Sequence, residues 1–221
     1  MNKLMPLYLT IRKNRNLSFF VIWMRYLIGF AFVPSGLTKL LGQRFTVLPV
    51  SHPVGFFFEA MYQTGFYWNF LGFVQVLSAF LLMTQRFATI GNLIFLAIIT
   101  NVYLITAAMQ FKGTVYITFL LLVASVGMLL WDFPKWVQVF SKDNFKVSEE
   151  YNGLPTYQPI WVITGFIFFV ESILFAVLPK LLPINGMTTM FAILGLIILT
   201  AIVILVIYIR NTRRLKRERS R

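Results

Sequence analysis

The chain has no cysteine and a single histidine, His52. Without thiols there is no disulfide scaffold, no thiol–disulfide exchange and no iron–sulfur ligation. One histidine cannot supply a bis-histidine haem or a multi-histidine metal site within one chain, so no metal is expected. No P-loop occurs and no GxGxxG follows a strand, which leaves nucleotide-driven transport without support. No Ser-His-Asp set can be assembled around a histidine that lies in a loop. Charge is scarce as well, at 12% of residues, where soluble domains carry about 25%. The scarcest sign is negative: 7 Asp+Glu stand against 20 Lys+Arg, a net charge of +13.

What fills the chain instead is apolar. Of 221 residues 58% are hydrophobic, with 24 Phe, 5 Trp and 9 Tyr, and the mean hydropathy is +0.77. That excludes a disordered chain. A bilayer core about 30 Å thick needs about 20 mostly apolar residues per helical span. Six runs qualify, roughly Leu17–Leu41, Phe66–Thr84, Phe87–Met109, Thr114–Trp131, Ile160–Pro179 and Met187–Ile209. They are continuously apolar rather than alternating, so they predict helices and not barrel strands. The first run is too long for a cleaved signal peptide, contains Arg25 and ends in Lys39. The expected fold is therefore all-α: a polytopic membrane protein.

The basic residues orient it. With the N-terminus inside, 15 of the 20 Lys and Arg fall in cytoplasmic segments, only Arg44, Lys112 and Lys180 fall outside, and Arg25 and Lys39 lie within the first span. This is the positive-inside pattern, and six spans then put both termini in the cytoplasm. The Lys/Arg-rich tail Arg210–Arg221 is expected to touch anionic lipid headgroups, and no nucleic-acid partner is expected because nothing folded follows it. Between Gly42 and Gly65, Pro53 and the Phe56-Phe57-Phe58 cluster predict a short helix in the outer interface. The polar stretch 134–159 reads as a cytoplasmic linker between a four-helix region, 1–133, and a final two-helix hairpin with its basic tail, 160–221.

Polar groups inside apolar runs are costly, so each is a lead. Arg25, Gly29, Phe32, Gly36 and Lys39 of the first run share an arc of about 80° on a helix. The two cations are about 21 Å apart along it, and the glycines allow close approach of another helix. Pro34 is expected to kink the helix before Ser35. The second run sets Trp68, Gly72, Gln75 and Ala79 on one face. The third carries Asn101, and the fourth a stripe of Thr114, Thr118, Ser125 and Asp132. Arg25 and Asp132 lie at similar depth and can pair, whereas Lys39 has Glu59 as its nearest candidate by depth. Gln75 and Asn101 are expected to bond between helices. The fifth run holds a lone carboxyl, Glu171.

Several of these stretches resemble DoxX-like membrane proteins. The resemblance rests on Arg25-Tyr26-Leu27-Ile28-Gly29-Phe30-Ala31-Phe32 followed by Ser35-Gly36-Leu37-Thr38-Lys39-Leu40, on Leu71-Gly72-Phe73-Val74-Gln75, Thr100-Asn101-Val102 and Phe111-Lys112-Gly113-Thr114, and on Trp131-Asp132. It covers roughly Leu17–Phe133 and leaves out the last two helices. It implies a four-helix bundle in a bacterial cytoplasmic (inner) membrane. It also implies association with membrane oxidoreductase subunits, the family's name coming from a membrane subunit linked to thiosulfate–quinone oxidoreductases. It carries over no catalytic residue.

Two functions remain open. One is a quinone-associated accessory subunit, in which Lys39, Gln75, Asn101 and Thr114, with Arg25, Ser35 and Asp132 in the same polar core, border an apolar pocket. The expected ligand is then a quinone, with no metal and no covalent cofactor. The other is a non-enzymatic scaffold or a lipid- or cargo-binding protein, with the same residues serving helix packing and Gly29, Gly36 and Gly72 the close contacts. A small transporter ranks last, because no internal repeat is seen.

Overall fold

The computed structural model describes residues 4–133, 159–182 and 186–219. The expected linker, apart from Pro159, and the side chains of the tail beyond Arg210 lie outside the described residues. Every element among them is a helix: α1 Leu4–Lys13, α2 Arg15–Leu40, α3 Pro53–Gln63, α4 Phe66–Met83, α5 Ala88–Ala108, α6 Thr114–Trp131, α7 Pro159–Leu181 and α8 Gly186–Arg219. Six helices are long and apolar enough to cross a membrane: α2, α4, α5, α6, α7 and the Gly186–Arg210 part of α8. A multi-pass membrane protein needs such helices, because hydrocarbon offers backbone groups no partner and each span must satisfy its own. The predicted runs agree with these spans to within a few residues.

Local chemistry sets the ends. Asn14 caps α2, its Oδ1 accepting from the N–H groups of Asn16 at 3.0 Å and Leu17 at 3.4 Å. His52 caps α3, its Nδ1 accepting from Val54 N at 3.2 Å, with Pro53 in the first turn. Helix α2 stops at a Schellman turn: Gly42 has φ +62° and donates to Lys39 O, and Gln43 donates to Thr38 O. Helix α5 ends in the same way, with Gln110 in the left-handed position at φ 50° in place of glycine.

Helices α2, α4, α5 and α6 pack in sequence around one core, and α2 also touches α6, which closes the ring. Ile22, Val33, Ala79, Leu82 and Phe95 fill its centre with no exposed surface, and Phe32 meets Phe95 edge-on at 4.6 Å between ring centroids. The tightest seam is α2 on α4. A Cβ on Gly36 would lie 2.8 Å from Val76 Cγ2 and 3.0 Å from Gly72 O, and one on Gly72 would lie 2.6 Å from Gly36 O. Only hydrogen fits at either position. The proline expected to kink α2 is accommodated within one continuous helix, where Thr38 Oγ1 donates to Pro34 O at 3.0 Å.

The first half of α7 joins this body. Tyr26 donates to Trp161 O at 2.6 Å, and Phe168 packs on Tyr26 and Trp23 at 5.3 and 6.0 Å. Two compact units, Met1–Phe169 and Val170–Arg221, divide inside α7. In the second unit α7 and α8 are tied by Thr200 Oγ1, which donates to Glu171 Oε1 at 2.7 Å.

The α2–α4 seam yields a prediction. Gly72→Val should lower stability by about 1–3 kcal/mol through overpacking. Gly127→Ala, at a position with open space around it, should be neutral or slightly stabilising, because alanine is the better helix former. Thermal unfolding of the two variants in detergent checks both directions.

Candidate functional site

Two polar regions lie at opposite ends of the α2–α6 bundle. The first borders a cavity of about 130 Å³ between the last turns of α2, the first half of α4, the second half of α5 and the overlying α3. Its walls are aromatic and aliphatic, with Phe45, Phe57, Phe58 and Trp68 prominent. Its polar lining is Ser35, Lys39, Gln75 and Thr106. Lys39 is 5% exposed, so it turns inward and does not snorkel. Its Nζ donates to Ser35 Oγ at 2.9 Å and Ser35 O at 3.1 Å. It also sits 4.2 Å from the Phe45 ring centre and 5.3 Å from that of Trp68, a favourable place for a desolvated cation. Trp68 is held in turn by its own bond to Gln43 O at 3.0 Å. No carboxylate lies within ion-pair distance of Lys39 among the described residues. Gln75 is 3% exposed, and its Oε1 is buried without a hydrogen-bond partner.

The Lys39–Glu59 pairing expected from depth does not form. Glu59 instead receives a two-pronged bond from Arg44, at 2.8 Å from Nε and 3.0 Å from Nη2. The planar guanidinium matches a carboxylate in a way an ammonium cannot, and the last turn of α2 aims Lys39 into the bundle. The bond to Arg44 holds the Glu59 carboxyl below its usual range. It joins the loop after α2 to α3, next to the cavity.

The second region is an ion-pair cluster. Arg25 Nη2 donates to Asp132 Oδ2 at 2.6 Å, and Arg25 Nη1 donates to Gln85 Oε1 at 2.9 Å. Thr89 Oγ1 donates to the same carboxylate oxygen at 3.2 Å, and Arg12 Nη2 lies 3.7 Å from Oδ1. Arg12, Arg25, Gln85 and Asp132 are each no more than 2% exposed. Asp132 caps the C-terminal end of α6, where the helix dipole disfavours an anion. The two guanidiniums offset that. Arg12 also reaches back to Trp131 O at 2.7 Å, which seats α1 on the end of α6.

The sequence stripes therefore sort unevenly. Ser35, Lys39 and Gln75 meet at the cavity, whereas Arg25 and Asp132 meet in the cluster. Asn101 does neither: it is exposed, and its amide donates within its own helix to Ala97 O at 2.8 Å. Thr114 is half-buried outside the cavity lining, its carbonyl accepting from Thr118 at 3.0 Å. The asparagine that bonds between helices is Asn92, which exchanges two 2.9 Å bonds with Ser125 O and Ser125 Oγ. Positions 92 and 101 are about 180° apart on a helix, so only one can face the bundle. Asn92 shares its face with Phe95, Ile99 and Thr106, all buried, and that stripe was the available signal. Thr106 and Thr118 form a second α5–α6 clasp at 2.9 Å. The sequence also hid Arg12, read as a cytoplasmic charge, and Gln85, whose backbone takes the left-handed φ of 58°.

Among the described residues no group of His, Asp or Glu could hold a metal ion. Glu171 is 5% exposed, with Oε1 on Thr200 and Oε2 buried without a partner. Compared with known proteins, the chain matches no family model, no curated protein and no solved structure.

The cluster predicts an asymmetry. Asp132→Asn deprives both guanidiniums of their carboxylate, whereas Arg25→Met leaves Asp132 with Arg12. Each should destabilise, since breaking a buried pair costs about 3–5 kcal/mol, with Asp132→Asn the worse. The double variant should cost less than the sum. Thermal unfolding of the three variants gives the coupling, and strict additivity would exclude it.

Proposed function

We propose that this chain is a DoxX-like protein of a bacterial cytoplasmic membrane that holds the ring of a quinone-class molecule in the cavity beneath α3, as an accessory subunit of a membrane oxidoreductase. The observation that carries this reading is Lys39, a buried cation with no carboxylate at ion-pair distance among the described residues, in an aromatic-walled space that Gln75 also lines. A quinone is apolar across its faces and accepts hydrogen bonds at its carbonyl oxygens, which suits an apolar pocket with one or two polar groups. The size fits a ring and not a whole lipid: about 130 Å³, against the roughly 150 Å³ of a cavity known to take benzene. Lys39 would donate to a carbonyl oxygen, and Phe45 and Trp68 would flank it.

The role is binding more than chemistry. Lys39 is the one titratable side chain in the cavity lining, which has no carboxylate and no histidine. A quinone held there would exchange electrons with a partner subunit. The scaffold reading draws on a different observation: the Asn92–Ser125 and Thr106–Thr118 clasps spend their polar groups on holding helices together.

The topology belongs to this proposal, with both termini cytoplasmic, α3 on the outer side and the basic residues against anionic headgroups. The absence of native cysteine makes it simple to test. In intact cells a membrane-impermeant maleimide should label V47C, in the loop after α2, and should label N16C only after permeabilisation. The reverse pattern overturns the orientation.

The ligand is tested directly. Purified protein should carry extractable quinone, and added quinone should raise its melting temperature. Lys39→Met should weaken quinone binding about 10- to 100-fold, the worth of one hydrogen bond to a charged group. Asn101→Leu, on the exposed face, should leave it unchanged. No retained quinone and no shift on addition would remove the reading.

A further inference from the structure

The polar atoms left over at the cavity are donors. Lys39 Nζ gives two of its three N–H groups to Ser35, at 2.9 and 3.1 Å, and keeps one. Gln75 lines the same space. Its Oε1 is sealed off, and its more accessible Nε2 makes no hydrogen bond. Thr106 Oγ1 is spent on Thr118 and on Tyr103 O, each at 2.9 Å. The charge is unbalanced as well. Lys39 is buried, and the carboxylates whose side chains are described are all committed elsewhere: Glu59 to Arg44, Asp132 to Arg25 and Glu171 to Thr200. The faces of Phe45 and Trp68 soften the charge without cancelling it. A desolvated cation gains most from a true counter-ion.

A neutral carbonyl can take up the free N–H groups, but it leaves the charge as it was. An anionic oxygen answers both needs, and its bonds to N–H donors are about twice as strong as neutral ones. We infer that the ligand of this cavity is a ring-sized monoanion, carrying an ionised hydroxyl or carboxyl conjugated with the ring, with Lys39 as its counter-ion and Gln75 Nε2 as a second donor. This rests on the reading of the cavity as a ring site and adds the charge of its occupant. Two kinds of molecule share that chemistry. One is a hydroxyquinone, a vinylogous acid whose hydroxyl ionises at neutral pH and spreads its charge onto a ring carbonyl. The other is an aromatic carboxylate. Both keep flat apolar faces for Phe45, Phe57, Phe58 and Trp68 to cover, and about 130 Å³ has room for a single ring.

The experiment compares three ligands on the purified full chain, in a non-ionic detergent at neutral pH: a methyl-substituted hydroxy-para-benzoquinone, its methyl ether, which cannot ionise, and benzoate. Calorimetry reads the affinities. Salt at about 0.15 M screens the general attraction of a chain of net charge +13 for anions. The ionised hydroxyquinone should bind about 10-fold more tightly than its ether, the gain expected when a hydrogen bond becomes charged at both ends. In Lys39→Met, or in Lys39→Gln if the first variant unfolds, the two affinities should converge to within about twofold, because no counter-ion is left. Equal or tighter binding of the ether to the native protein overturns the inference and leaves the quinoid pocket standing. A preference for the anion that survives loss of the Lys39 ammonium also overturns it, because another group would then hold the charge. Binding of benzoate without either quinone upholds the anion site and removes the quinoid reading. Binding of none of the three overturns both.

Discussion

Backbone meets backbone where Gly36 of α2 faces Gly72 of α4, and both polar regions take their positions from that contact. With no Cβ on either side, the two helices can lie close enough for dispersion and weak carbonyl contacts to hold them, the usual means of association where water provides no hydrophobic drive. The seam fixes the rotation of both helices. Toward one end it brings Ser35 and Lys39 to the same cavity as Gln75. Toward the other it brings Arg25 within 2.9 Å of Gln85, just past the end of α4. A side chain at either glycine would separate the helices and move both regions.

The two ends then solve the problem of buried charge differently. At the cluster, a carboxylate receives two guanidiniums and a hydroxyl. Gln85 adopts a left-handed conformation that glycine usually takes, and its side-chain oxygen accepts from Arg25. Glycine could make that turn but could not make that bond. At the cavity, the cation meets only a hydroxyl, a carbonyl and two aromatic faces. The first arrangement is closed and structural. The second borders open space, about 130 Å³ of it, and that difference singles out the cavity as the place where a ligand would gain binding energy.

Much of this was legible without coordinates. The six spans followed from apolar runs, α3 from Pro53 and its phenylalanines, and the Arg25–Asp132 pair from depth. The pairing of Lys39 was misread because depth says nothing about geometry, and Arg44 presents a fork that Glu59 accepts on both oxygens. Asn101 stood out in the third apolar run, and Asn92, in the same run, did not. Only the choice of buried face tells them apart, and that choice needs α6 in place.

The sequence by itself determined what depends on short stretches: which segments are helical, which are apolar enough to span, and where asparagine, histidine and glycine end them. Each follows from local hydropathy or local backbone preference. Tertiary structure alone decided which polar group meets which. It put Arg12 against Trp131 and Asp132, more than a hundred residues away along the chain, and left Gln75 facing a cavity with its oxygen unmet. Those partnerships depend on helix rotation and on contacts between segments far apart in sequence, and a hydrogen bond made or missed by a few ångströms leaves no trace in composition or periodicity.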